Sequence, residues 1–486
     1  MNKPIRRVSL FCLLLVLALL VRVNWVQGVQ ANALDTNANN QRVAIERYAY
    51  PQGSIIVDGK PVTKSINVNG YRYKYKQGFA DGPMYAPITG YSSQAYGSTG
   101  LENLEDGILS GNDDRLFFRN TLDMLTGKPK QGGNVITTIN SKVQQAAWNG
   151  LGDKRGAAVA LDPSTGKILA LVSKPSYDPG TFAGMSSADQ KAWTALTSDK
   201  DQPMLDRALR QTYPPGSTFK LVTTAAALEN DPNLDINAAT DSPNPYKAPD
   251  TDHPLTNEGN IPCTNASLMQ ALQYSCNTVY GKLGADMGRA KMLAEVKKFG
   301  FDDSNLTTPI GVAKSNFDQT PNGQALLALD SIGQHDTTAT PLQMAMVASA
   351  VANNGVLMKP YLVAQEEAAN LSVVSQTKPQ QYSQPLSAAN AQKLQQLMEN
   401  VVQKGTGTTA QIPGVTVGGK TGTAQNGVDN SGNPYAWFVS YAKVGDSSPI
   451  AVAVVVEASK TQRSEISGSG LAAPIAKAMM EAAIGK

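Results

Sequence analysis

Histidine is nearly absent: the chain of 486 residues holds two, His253 and His335, together with three cysteines. Zinc is held by Cys and His clustered at short fixed spacings, and no such cluster exists here, so no metal and no other cofactor is expected. The same scarcity leaves a Ser-His-Asp arrangement little to work with. His253 lies in the loop-like TDHPLTNEGN, His335 follows a Gly-Gln pair, and neither stands near a GxSxG elbow. Excess charge of one sign is missing as well, with 42 Lys and Arg against 39 Asp and Glu. That balance lacks the concentrated basic face that neutralises phosphates and excludes a nucleic-acid partner. Residues 35 to about 154 hold no internal repeat either.

Long apolar runs are limited to one. Lys3, Arg6 and Arg7 precede VSLFCLLLVLALLV, Val8 to Val21, the pattern of an export signal. As a helix this run spans roughly 21 Å at ~1.5 Å per residue, short of a bilayer core of ~30 Å. Extension to Val29 supplies the length by including Arg22, Asn24 and Gln27, which can snorkel to the interface. The sequence ANA at 31–33 has the small-x-small form that signal peptidases cut. Retained anchor and cleaved leader both stay open, and both place residues 34–486 outside the cytoplasm because the positive end stays inside. Cys12 lies in the apolar run, leaving Cys263 and Cys276 as the only pair in the main body. Outside the cytoplasm these two can form a disulfide; two free buried thiols are the other reading.

What is present points to more than one domain, since 486 residues with 41 % hydrophobic and 17 % charged side chains exceed what a single core serves. Residues 35 to about 154 are polar, rich in Asn, Gly and Tyr, with strand-like runs such as GSIIVDG and GYRYKYKQGFA and one clear helix, VQQAAWNGL. They read as a modest β-rich module with a scaffold or interaction role. From Gly156 the texture changes. GAAVALDPSTGKILALVS is a hairpin with turn residues where a turn is needed. Helices are expected over Phe219–Leu228, Ser267–Leu283, Pro341–Asn353 and Ala388–Val402. Strands return in VTVGGKTGTAQ, YAWFVSYAKV and PIAVAVVVEA, and LAAPIAKAMMEAAI closes the chain as a helix. Strands at both ends and helices between imply an α+β fold, one mainly antiparallel sheet assembled from distant parts and packed between helical layers. The organisation expected is an N-terminal anchor or signal at 1–33, an extracytoplasmic module at 34–154 and a larger domain at 155–486.

Ser-x-x-Lys occurs three times: at Ser164/Lys167 in the hairpin turn, at Ser375/Lys378 in a polar connection, and at Ser217/Lys220 within YPPGSTFKLVTTAAALE. The last alone has a setting for chemistry. Residues three apart share a helix face, so Lys220 can reach the Ser217 hydroxyl, and a helix start offers free N–H groups and a positive dipole end to a developing oxyanion. A capped helix with a solvated lysine is the plainer interpretation of this stretch taken alone. Two further motifs change the balance. QYSCNTVY contains Ser275-Cys276-Asn277, a hydroxyl able to relay a proton and a carboxamide able to orient a carbonyl or a lysine. GGKTGTAQ contains Lys420-Thr421-Gly422-Thr423 in strand context, where the lysine supplies charge, the hydroxyls can grip a carboxylate, and Gly422 leaves room for a substrate along the strand.

In that chain order the three motifs resemble those of the penicillin-recognising active-site serine enzymes. The stretches GAAVALDPSTGKILALVSKPSYDP, YPPGSTFK, SIGQHDTTATPLQMAMVASAVANNGVLMKPYLV and GGKTGTAQ are similar to the transpeptidase domain of class B penicillin-binding proteins, especially the shorter actinobacterial type. The resemblance implies that Ser217 attacks the penultimate D-Ala carbonyl of a peptidoglycan stem peptide and that neutral Lys220 accepts its proton. Ser275 would pass a proton to the leaving D-Ala amine, and Asn277 would orient the substrate. Lys420 would keep the Lys220 pKa low, Thr421 and Thr423 would hold the terminal carboxylate beside Gly422, and the N–H groups of Ser217 and Thr423 would form an oxyanion hole. An amine on a neighbouring strand then takes the acyl group, while penicillin and other β-lactams leave the serine acylated.

It further implies a single-pass membrane protein with a cytoplasmic N-terminus, a cleaved and secreted form being the alternative. A membrane-associated glycan polymerase and division proteins are the expected partners, in septal wall synthesis. A D,D-carboxypeptidase, in which water replaces the amine, and a non-catalytic β-lactam-binding scaffold are the competing functions. One departure from the family is Gln52-Gly53 where an Arg-Gly pair is common, which removes any contact between subdomains built on that arginine. His335 has no assigned role.

Overall fold

The computed structural model describes all residues except 1–2, 31–32, 35–40, 71, 117–118, 120, 122–124, 319–322, 428–429 and 459. Two residues of the ANA cleavage sequence, Ala31 and Asn32, therefore lie outside the described residues. The apolar run forms one helix, Lys3–Gly28, of 26 residues with a mean hydropathy of 2.3 and no buried side chain. At ~1.5 Å per residue it is about 39 Å long, enough to cross a bilayer core.

The module is more mixed than its composition implies, because short helices at Gly82–Thr89, Gly100–Leu104 and Asp106–Ser110 interleave with its strands. Its five-stranded sheet has the spatial order Val373–Gln376, Val363–Glu367, Asn134–Thr137, Ile55–Val57, Lys60–Pro61. Two of these strands come from beyond residue 360, so the module and the larger part of the chain share a sheet. The join is made by backbone: Glu367 pairs with Asn134, and a Cβ on Gly133 would lie 2.1 Å from the Glu367 carbonyl oxygen. A Cβ on Gly53 would lie 1.6 Å from the Gly133 carbonyl oxygen, and the Gly53 N–H donates to Leu109 O at 2.8 Å. Only glycine permits so close an approach, and these Gly53 contacts lie within the module.

The second sheet is antiparallel and positions the site. Its strands are β1 (Arg155–Leu161), β2 (Ile168–Lys174), β3 (Thr416–Ala424), β4 (Tyr435–Val444) and β5 (Ser447–Ala458), in the order β3-β4-β5-β1-β2. Chain ends thus meet in one sheet, with Ala453 paired to Val159 and Gly422 to Trp437. The Val- and Ala-rich strands β1 and β5 are buried on both faces, as expected for strands covered by helices on each side.

Seven helices matter to the site: α1 (Ser141–Leu151), α2 (Lys220–Asn230), α3 (Leu268–Tyr274), α4 (Asn277–Met287), α5 (Pro341–Ala352), α6 (Ala388–Lys404) and α7 (Ala473–Ile484). On one face of the sheet, Val143 and Ala147 of α1 and Met479 and Met480 of α7 pack against Ala158, Val172 and Val454. On the other, Met344 and Val347 of α5 join Val159, Leu171 and Val455 in the larger core with Leu221 of α2. α5 is apolar around most of its circumference because it lies inside the domain.

Two of the three Ser-x-x-Lys pairs prove structural. Ser164 sits in the β1–β2 turn, where Asp162 accepts from its N–H at 2.9 Å and its hydroxyl at 2.7 Å, an Asx-type turn. Ser375 lies on the outer strand of the module sheet and donates to Glu366 at 3.0 Å.

The single helix expected over Ser267–Leu283 is broken. α3 ends at Tyr274, Ser275 adopts a left-handed backbone with φ 63°, and α4 begins at Asn277. Cys276 at this break is joined to Cys263, with Cα atoms 5.6 Å apart and a separation of 13 in sequence. Periodicity cannot reveal such a break, because the apolar pattern resumes in phase on the far side.

The cross-link yields a prediction. Closing a loop of this length restricts the unfolded chain by about 3 kcal/mol, and both cysteines are fully buried. Cys263→Ser should lower the melting temperature of the purified protein and slow its acylation by penicillin, because the Ser275 turn loses its tether. An unchanged melting temperature, or an intact mass of the denatured, alkylated wild type showing three alkyl groups rather than the single one on Cys12, would contradict this.

Candidate active site

Chain entry to Ser217 is held from four directions. Tyr213 exchanges backbone hydrogen bonds with Ala339 at 3.0 and 2.8 Å, and the Trp437 indole of β4 donates to Pro214 O at 3.0 Å. The Gly216 N–H donates to Gly333 O at 2.9 Å, and the Thr218 hydroxyl to Pro215 O at 2.7 Å. Gly216–Phe219 forms a single 3₁₀ turn that runs into α2 at Lys220. In a 3₁₀ turn residues three apart eclipse one another, so Lys220 stands directly beside Ser217. The Lys220 amine lies 2.9 Å from the Ser217 hydroxyl.

The other contacts of that amine define its chemistry. Lys220 Nζ donates to the Ser275 carbonyl at 2.7 Å and to Asn277 Oδ1 at 2.7 Å, and lies 3.2 Å from Ser275 Oγ. Carbonyl oxygens only accept. A neutral amine gives its two N–H donors to them and keeps its lone pair for the Ser217 proton. Burial favours that state. Lys220 is fully buried, and desolvation, reinforced by the nearby positive charge of Lys420 and opposed by Glu258, holds it well below the usual lysine range.

Lys420 reaches the same centre from β3, donating to Ser275 Oγ at 3.0 Å and to Thr421 O at 2.8 Å. It too is fully buried, and desolvation, countered by Glu258, brings it down to about 7. Ser275 Oγ therefore sits between two amines and connects them, the geometry a proton relay needs. Thr421 Oγ1 is 2.7 Å from Thr406 Oγ1, and Thr423 faces an adjoining cleft.

Gly422 has a different use from the one expected. A Cβ there would come within 3.0 Å of both Pro215 O and Thr218 Cγ2. Its space is filled by the Ser217 turn, and the glycine lets that turn lie against β3.

Two contributors carry no recognisable sequence signal. Asn257, in the loop that also holds His253, accepts from the N–H groups of Asn277 and Thr278 at 2.6 and 3.1 Å and donates to Thr278 Oγ1 at 3.0 Å. It caps α4 from outside the helix, a task Cys276 at the cap position leaves undone. Thr256 O accepts from the Asn277 amide at 3.2 Å, turning Oδ1 toward Lys220. Gly333 is the other contributor: its Cβ would lie 2.2 Å from Gly216 O. His335 helps brace that loop rather than reaching Ser217. Its Nδ1 is 3.2 Å from the fully buried Asp330, which also accepts from Asp336 N at 2.9 Å.

Asn257→Ala should cost about 1 kcal/mol of stability as a lost cap and slow Ser217 acylation roughly tenfold through misplacement of Asn277. Asn257→Asp keeps an oxygen for both N–H groups and should recover most of the rate. Equal rates for wild type and the alanine variant in a stopped acylation assay would remove Asn257 from the site.

Residues 156–481 match the family described as the penicillin binding protein transpeptidase domain. The chain belongs to the penicillin-binding transpeptidases. Residues 52–135 also match the family described as the penicillin binding protein A dimerisation domain. The peptidoglycan D,D-transpeptidase PbpA of Mycolicibacterium smegmatis is 40 % identical over 100 % of this chain and 99 % of its own. The protein of the same name from Mycobacterium tuberculosis is 39 % identical over the same shares. Among solved structures, the penicillin G acyl-enzyme complex of penicillin-binding protein A from M. tuberculosis is 39 % identical with a TM-score of 0.83, covering 90 % of this chain and all of that one. The transpeptidase fold expected from the motifs is therefore the fold found.

Proposed function

We propose that this transpeptidase cross-links peptidoglycan stem peptides through an acyl-enzyme on Ser217. The observation that carries the reading is the Lys220 amine, whose two donors are taken by Ser275 O and Asn277 Oδ1 while Ser217 Oγ stands 2.9 Å away. Lys220 takes the hydroxyl proton as Ser217 Oγ attacks the penultimate D-Ala carbonyl. The N–H groups of Ser217 and Thr423 receive the oxyanion, each such donor being worth roughly 3 to 4 kcal/mol. The proton passes by way of Ser275 to the departing D-Ala nitrogen, and the peptide C–N bond breaks. Lys420 sustains the positive potential, and Thr421 and Thr423 bind the terminal carboxylate. Penicillin and other β-lactams enter the same path and stop at the acyl-enzyme.

The helix Lys3–Gly28 serves as a single membrane anchor with its N-terminus in the cytoplasm. Residues 34 to about 137, joined by the strands Val363–Glu367 and Val373–Gln376, form the pedestal, and the remainder to 486, with α1, the catalytic domain; a lipid-linked glycan polymerase together with division proteins are the fitting neighbours in septal wall synthesis. The wall role is tested by following a fluorescent fusion, expected at the septum. The chemistry is tested with the full chain in detergent, given a stem pentapeptide ending in D-Ala-D-Ala and an amine acceptor. Mass spectrometry should show the amide-linked product, abolished by prior penicillin. Release of D-Ala with only the hydrolysed tetrapeptide would make the protein a carboxypeptidase, and no turnover at all would overturn the reading.

A further inference from the structure

Beside the Ser217 centre lies an open cleft of about 580 Å³ whose lining includes Glu258, Thr423, Gln425, Asn430 and Arg463. It begins where β3 ends, so Thr423 belongs both to the strand that carries Lys420 and to this cleft. Among the described lining residues Glu258 is the only carboxylate. The backbone that carries it is held, and its side chain is exposed to the cleft. The preceding residue, Asn257, is pinned to the start of α4 by three hydrogen bonds, and Thr256 O is tied to the Asn277 amide. Across the cleft, Arg463 donates to the carbonyls of Asn430, Ser431 and Gly432, which commits its charge to that loop.

A carboxylate here works against the donor peptide, whose own terminal carboxylate needs positive charge. Its natural guest is a cation. The second substrate of a transpeptidase is an amine, which at neutral pH arrives as an ammonium and has to lose a proton before it can attack. Water needs neither recruitment nor deprotonation of that kind.

We infer that Glu258 is the receiving group for the acceptor: it binds the ammonium in the cleft beside Thr423, takes its proton, and thereby favours transfer over hydrolysis. This rests on the acyl-enzyme reading above. In the step itself, Glu258 takes one proton from R–NH₃⁺ and releases it to solvent. The nitrogen lone pair forms the new C–N bond at the ester carbonyl, and the bond from that carbon to Ser217 Oγ breaks. The second nitrogen proton travels through Ser275 and Lys220 to Ser217 Oγ. The products are an amide and free serine, and the charges balance.

The test compares full-length wild type, Glu258→Gln and Glu258→Asp, acylated by a D-alanyl thioester donor and offered either glycinamide or hydroxylamine, the latter uncharged at pH 8. The ratio of aminolysis to hydrolysis is read at each acceptor concentration. With glycinamide at pH 7 the ratio should fall about tenfold in Glu258→Gln, with half-saturation shifted upward, and Glu258→Asp should keep most of it. With hydroxylamine at pH 8 the fall should be under twofold. An unchanged glycinamide ratio, or an equal loss of transfer and hydrolysis, would overturn the proposal and leave Glu258 as a counter-charge to Lys220 and Lys420. Wild type that takes no acyl group would instead overturn the acyl-enzyme reading, and this inference with it.

Discussion

Ser217→Ala will leave a folded protein that forms no covalent adduct with penicillin, a loss of more than about 10³-fold in acylation. The fold should survive because Ser217 Oγ contributes one contact, to Lys220. The turn that carries it is held instead by Trp437, Gly333, Ala339 and the Thr218 hydroxyl. Removing the hydroxyl leaves Lys220 and Ser275 in place with nothing to activate but water. Intact-mass measurement after incubation with penicillin G is the direct check: wild type gains one penicilloyl group and the variant gains none. An adduct that persists in Ser217→Ala would mean that another serine is the nucleophile. Ser164 and Ser375 are poor substitutes, since each is engaged with a carboxylate and stands away from β3.

Lys220→Met tests the base, and acylation should fall by about 10² to 10⁴-fold, the range a positioned general base supplies. Methionine fills a similar volume without an amine, so the packing around α2 is kept. The pH profile adds a second readout. Wild-type acylation should rise as pH increases through the depressed Lys220 pKa, because only the neutral amine can accept the Ser217 proton. That rising limb should vanish in Lys220→Met.

Stability should rise with pH as well. Both lysines prefer the neutral form when folded and bind a proton when unfolded, so the unfolded chain binds more protons. Stability then rises with pH. For Lys420 the window runs from about 7 to its ordinary 10.5. Lys220→Met should therefore flatten the increase of melting temperature with pH and raise the melting temperature at pH 7, trading activity for stability as strained sites do. A variant that melts lower than wild type at pH 7, with the pH slope unaltered, would show that Lys220 is not held neutral by burial.

Much of this was readable from local sequence. The short apolar runs GAAVALDP, YAWFVSYAKV and PIAVAVVVEA, bounded by turn residues, mark β1, β4 and β5, because a strand covered on both faces is apolar at successive positions. The length and charge of the N-terminal run mark Lys3–Gly28 as a helix able to span a membrane. The three motifs name Ser217, Lys220, Ser275, Asn277 and Lys420 by residue type and order, and the structure brings these five side chains to one centre.

What local pattern could not supply is how these pieces close on one another. The break between α3 and α4 at Ser275 is invisible to periodicity, yet it turns both the Ser275 carbonyl and Asn277 toward Lys220, 55 and 57 residues away in the chain. Asn257 and Glu258 belong to an unremarkable polar loop until that loop is laid against the start of α4. Gly422 reads as room for a substrate until the Ser217 turn is seen to occupy it. Two lysines fall below their ordinary pKa only when burial in the same spot strips their hydration, and burial is set by the closed chain. Residue types and order were determined by the sequence alone; the protonation states, the outer cap on α4 and the carboxylate at the cleft came from contacts between distant segments, which only the tertiary structure decides.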